Sequence, residues 1–113
     1  ASDVYKRQAK GYLEVKGVTL EENGVVSFPD APTKRGEKHL RELIRCRKQG
    51  LEAYVLFVVQ MSRVRYFTPN KKNDPAFAQA LREAYESGVT VLAMDCLVEP
   101  GKVAIHRPVE IRL

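Results

Sequence analysis

Glu14 and Lys16 are the two residues whose types and spacing come closest to a reactive pair. They lie in Gly11-Tyr12-Leu13-Glu14-Val15-Lys16-Gly17, where Tyr12, Glu14 and Lys16 alternate with Leu13 and Val15. That alternation predicts a strand, and its period of two puts Glu14 and Lys16 on one face. A carboxylate beside an ammonium is what a metal-dependent phosphodiesterase needs. The carboxylate ligates Mg²⁺, and the lysine positions the attacking water or steadies charge growing on the phosphate. The competing reading is a plain solvated ion pair, which most Glu-x-Lys pairs on strands are.

Asp30, in Phe28-Pro29-Asp30, is a second acidic candidate. It serves as a metal ligand if a hairpin carries it back beside Glu14, or as a helix cap two residues ahead of Pro32, the more frequent role for such an Asp. Between Thr33 and Gln49 stand seven basic residues (Lys34, Arg35, Lys38, Arg41, Arg45, Arg47 and Lys48) against Glu37 and Glu42. The whole chain has a formal net charge of +5, so this one segment carries the entire excess. Such a run either faces the phosphates of a nucleic acid or forms a solvated helix face, and charge alone favours the second.

The elements that must position these groups follow from pattern. A chain of 113 residues makes one small domain with a thin core. A first strand is predicted over Tyr12 to Thr19. Glu21-Glu22-Asn23-Gly24 is a turn, and Val25 to Phe28 is expected to pair back against the first strand until Pro29 stops the ladder. Leu40, Leu43, Ile44 and Cys46 share one side of a predicted helix from Thr33 to Lys48, closed by Gly50. Ala53 to Val59 is apolar throughout, as in a central strand covered on both faces.

Ser62 to Phe67 is shorter and ambiguous, and a loop follows from Thr68 to Asn73. Asp74 and Pro75 open a second helix whose buried stripe is Phe77, Ala80, Leu81, Ala84 and Tyr85. Val89 to Met94 completes a βαβ unit, so its strand is expected to run parallel to Ala53–Val59. Lys102 to His106 adds an edge strand, with His106 exposed and idle.

Residues 1 to 10 show no periodicity and are assigned no structure. Asp3-Val4-Tyr5-Lys6-Arg7-Gln8 also matches one reading frame of a sequencing-transposon end, so a foreign leader is expected there. No apolar run is long enough for a membrane span, and no secretory leader is visible. A cytoplasmic protein is expected, without membrane contact, with Cys46 and Cys96 as reduced thiols in or near the core.

Leu13-Glu14-Val15-Lys16-Gly17-Val18-Thr19-Leu20, followed by Phe28-Pro29-Asp30-Ala31-Pro32-Thr33-Lys34-Arg35-Gly36-Glu37-Lys38-His39-Leu40-Arg41-Glu42-Leu43, resembles the sugar fermentation stimulation protein (SfsA) family. The resemblance continues through Val55 to Gln60, Phe67 to Asn70, Asp74-Pro75 and Gly88 to Ala93, and so covers the chain from about Gly11 onward. It implies an α/β fold over 11–113. That fold is a mixed sheet with flanking helices, similar to the PD-(D/E)xK nuclease core, truncated at its N-terminus and lacking the OB-like domain that precedes it in the family.

It also implies a DNA-binding protein linked to regulation of sugar use, with a nuclease-like site. The alternative is a Mg²⁺-dependent nuclease in the full-length parent. Glu14 and Lys16 then become the catalytic pair, Glu14 and Asp30 the metal ligands, and Mg²⁺ the expected ion. Arg35, Lys38, His39, Arg41 and Arg45 become the nucleic-acid contacts. The helix dipole would help the first three hold a phosphate, unless they serve only in a salt-bridge cluster with Glu37 and Glu42.

Overall fold

The structure, a computed structural model, describes the backbone of Asp3–Arg7 and residues 11–113 in full. Ten elements follow in order: β1 (Asp3–Arg7), β2 (Gly11–Val18), β3 (Leu20–Glu22), β4 (Val25–Phe28), α1 (Lys34–Lys48), β5 (Glu52–Val59), β6 (Tyr66–Pro69), α2 (Pro75–Glu86), β7 (Thr90–Glu99) and β8 (Lys102–Pro108). Five strands form one sheet in the order β1-β2-β5-β7-β8, and β3-β4-β6 form a second. In the larger sheet β2, β5 and β7 run parallel, while β1 and β8 close the edges antiparallel. The expected mixed sheet with flanking helices is the fold observed.

The βαβ expectation holds in the parallel register of β5 and β7, which pairs Val55 with Val91 and Phe57 with Ala93. The pattern of β5 explains the central position: Ala53, Val55, Phe57 and Val59 are buried on one face. Leu40, Leu43 and Ile44 of α1, with Phe77, Ala80, Leu81 and Ala84 of α2, pack on that same side and complete the core. Phe57 is the hub of an aromatic cluster, stacked on Phe67 at 4.3 Å and tilted against Phe28 at 5.8 Å.

Three expectations need correction. A strand occupies Asp3–Arg7, where no structure was expected, because β2 offers an edge that an extended segment satisfies by antiparallel pairing. The hairpin exists, but its arms are β3 and β4, joined by Asn23 and Gly24 at φ 54° and 82°. β4 then pairs with β6 and not with β2, so the hairpin builds a separate small sheet. Tyr85 is 60% exposed and lies off the buried stripe of α2. His106 is exposed, as expected, with its Nδ1 3.7 Å from the carboxylate of the buried Asp95, which accepts the Arg107 N–H at 2.7 Å.

Candidate metal and nucleic-acid site

The strand period does what the alternation predicts. Glu14, Lys16 and Val18 all turn toward the helix side of the sheet, each registered beside a buried residue of β5. Lys16 Nζ lies 3.2 Å from Glu14 Oε1, and the side chains are 6% and 1% exposed. This is a buried ion pair, which excludes the solvated reading. Such a pair is costly to desolvate and is kept only where further polar groups support it.

His39 of α1 supplies that support. Gly36, Leu40 and Leu43 bury one stripe of the helix, and His39 rides at its margin. Its Nδ1 sits 2.9 Å from Lys16 Nζ and 3.2 Å from Glu14 Oε1. An ammonium can only donate, so Nδ1 accepts from Lys16 and the imidazole is the neutral Nε2–H tautomer. Burial, and then the Lys16 charge, push the His39 pKa below its ordinary 6.5. Burial likewise lowers Lys16 below 10.5, against the opposing pull of Glu14. The Glu14 oxygen nearest them, Oε1, is buried and has no hydrogen bond of good geometry among the described residues, with the Lys16 ammonium at 3.2 Å as its charged partner.

Two clefts reach the cluster, one at Lys16 and the other at Glu14 and His39. One, of about 580 Å³, is lined by Lys16, Phe28, Thr33, Arg35, Gly36 and Gln60. The other, of about 260 Å³, is lined by Tyr12, Glu14, His39, Glu42, Arg45 and Cys46. The start of α1 is set by Thr33, whose Oγ1 accepts the Gly36 N–H at 2.9 Å. Thr33 is itself tied down by Asp74, whose Oδ2 accepts the Thr33 N–H at 2.8 Å while Oδ1 caps α2 at Phe77. One buried carboxylate therefore fixes two helix starts.

Of the other residues singled out from sequence, Asp30 is exposed in the connection before α1, where its backbone carbonyl accepts from Asn73. Thr33, not Asp30, is the cap of α1. Among the described residues no group of three His, Cys, Asp or Glu side chains is disposed to hold a metal ion. Lys34, Arg35, Lys38, Arg45 and Lys48 are exposed along α1. Arg41 is engaged in two bonds to Glu83, at 2.7 and 3.2 Å, which raise its pKa.

Sequence reasoning missed three contributors. His39 was placed among the phosphate contacts and not in the ion pair. Asp74 was read as a cap of α2 without its hold on Thr33. Gln60 was not singled out, yet its amide lies so close over Gly17 that a Cβ there would stand 2.7 Å from Nε2. The available signal was in the helix phase, which puts His39 next to the buried Leu40 and Leu43.

A family model, the sugar fermentation stimulation protein RE domain, matches residues 2–102. The chain belongs to the sugar fermentation stimulation protein family. It is 49% identical over 110 residues to the sugar fermentation stimulation protein homolog of Ruminiclostridium cellulolyticum, covering 97% of this chain and 49% of that relative. The homolog of Clostridium beijerinckii is 51% identical over the same shares. The chain thus spans about half the length of these sugar fermentation stimulation relatives. Among solved structures, that of Pyrococcus furiosus SfsA in complex with Ca²⁺ superposes with a TM-score of 0.86 at 32% identity, covering 91% of this chain and 45% of that one. No helix among the described residues is long and apolar enough to cross a membrane.

Proposed function

We propose that this chain is a DNA-binding module of the sugar fermentation stimulation family whose nuclease-like corner takes a divalent cation on Glu14. The observation that carries the reading is the buried Glu14 Oε1, which has no directed hydrogen bond among the described residues and sits beside Lys16, with one cleft reaching Glu14 and another reaching Lys16. An anionic oxygen buried at that cost is suited to a cation, and the existence of a Ca²⁺ complex of the Pyrococcus relative supports cation binding in this chain. The exposed Lys34, Arg35, Lys38, Arg45 and Lys48 supply the phosphate-facing charge. The family name supports a link to the control of sugar use.

The donor set falls short of a complete metal cage. Glu14 is one anionic ligand, and Mg²⁺ or Ca²⁺ needs six or more oxygens, so no hydrolytic step follows from the residues described. The alternative, a Mg²⁺-dependent nuclease in the full-length parent, draws on the buried Lys16 beside Glu14. Purified chain should shift a fluorescent duplex, and Arg35→Ala with Lys38→Ala should weaken binding at least tenfold. Full binding by the double variant would sink the DNA-binding reading. Supercoiled plasmid with Mg²⁺ or Mn²⁺ should stay intact. Nicking that disappears in Glu14→Ala would put the nuclease reading first.

A further inference from the structure

The two clefts beside the Glu14–Lys16 pair differ in charge. The smaller is lined by Glu14 and Glu42, whereas the larger is lined by Lys16 and Arg35 and, among the described residues, by no carboxylate. At about 580 Å³ the larger has room for a nucleotide-sized group. It lies where β2 and β5 end and α1 begins, and open sheets of parallel strands bind ligands outside their carboxyl ends.

Gln60 stands at that edge and lines the same cleft. Its backbone N–H donates to the Val18 carbonyl at 3.0 Å, which carries the ladder one residue past β5 and fixes where the side chain starts. Val58 pairs with Gly17, so the period of two sends Gln60 to the Gly17 side of the sheet. Gly17 has no side chain to stand in the way, and the amide folds down over it. The amide has no hydrogen-bond partner among the described residues.

We propose that Gln60 is a nucleic-acid contact, its amide donating to a backbone phosphate of DNA seated in the larger cleft, and that Gly17 gives the amide its place. The inference rests on the DNA-binding reading and adds a neutral donor to its cations. Lys16 and Arg35 set the sign of the ligand, and an amide N–H aimed at an anionic oxygen makes a charge-assisted bond. Such a contact positions the duplex and reads no sequence.

Fluorescence anisotropy of two labelled duplexes of unrelated sequence tests it. Gln60→Ala should weaken binding to both by roughly tenfold. The logarithmic salt slope should stay that of the parent chain, because a neutral amide releases no counterion, whereas Arg35→Ala flattens it by about one unit. Gln60→Glu should weaken binding more than Gln60→Ala, since it puts a carboxylate into the cleft. An alanine Cβ at position 17 would stand 2.7 Å from Gln60 Nε2. Gly17→Ala should therefore displace the amide and weaken binding, with no added loss when it is combined with Gln60→Ala. Gln60 is exposed, so its variants should stay folded, which urea unfolding checks. Full binding by Gln60→Ala, a loss on one sequence only, or losses at 17 and 60 that add would overturn the proposal and leave the DNA-binding reading standing. A parent chain that binds neither duplex would sink both.

Discussion

At Glu14, Lys16 and His39 three ionisable groups share one buried corner, and each depends on the others. Removing the carboxylate leaves Lys16 buried without its opposite charge, so Glu14→Gln should cost about 3–5 kcal/mol in urea unfolding. Replacing both partners, as Glu14→Gln with Lys16→Met, should recover much of that loss, because no uncompensated charge remains. His39 sets a pH dependence. Burial and Lys16 hold its pKa below 6.5, so below that pH the unfolded chain binds a proton that the folded chain refuses. Stability should therefore fall as pH drops from 6.5 toward the folded-state value. His39→Gln should flatten that stretch of the curve, measured as urea midpoints between pH 7 and 5.5. An unchanged slope would show that the imidazole does not titrate differently on folding.

The helices are held by their starts. Thr33 caps α1 at Gly36, and its loss in Thr33→Ala should cost about 1 kcal/mol. Asp74 does more, accepting from Phe77 in α2 and from Thr33 ahead of α1, so Asp74→Ala should cost about 2–4 kcal/mol. Gly36 lies where the helices meet, and a Cβ there would stand 2.8 Å from Thr33 Cγ2 and 3.2 Å from Phe77 Cε1. Gly36→Ala should thus destabilise by about 1–3 kcal/mol, although alanine is the better helix former. Thermal denaturation of the three variants, with Asp74→Ala lowest, checks the order. A Gly36→Ala protein more stable than the parent would show that the helices can part without cost.

Across the described residues the cations of α1 divide into exposed and engaged. Arg35, Lys38 and Arg45 are exposed, whereas Arg41 is committed to Glu83 on α2. If DNA lies along this helix, losing Arg35 or Lys38 should flatten the logarithmic salt dependence of binding by about one unit each. Arg41→Ala should change it by less, because its charge is already met within the protein. Fluorescence anisotropy of a labelled duplex from 50 to 200 mM salt distinguishes the two. Equal effects from all three positions would mean that the Glu83 pair opens on binding.

Local pattern alone determined that Glu14 and Lys16 share a face, because side-chain direction along a strand has a period of two and needs no partner. It determined the Asp74-Pro75 helix start and the parallel pairing of β5 with β7 for a similar reason, since capping chemistry and chain length between strands are local properties. Tertiary structure alone decided which strand β4 would join, because a hairpin arm can pair on either side and the choice fell to β6, some forty residues away. It decided that His39 would lie against Lys16 and that Arg41 would be taken by Glu83, pairs separated by 23 and 42 residues. It also decided that the Glu14–Lys16 pair is dry. Sequence spacing sets which way a side chain points, whereas burial depends on which helix is laid over it, and that is settled only when α1 packs on the sheet.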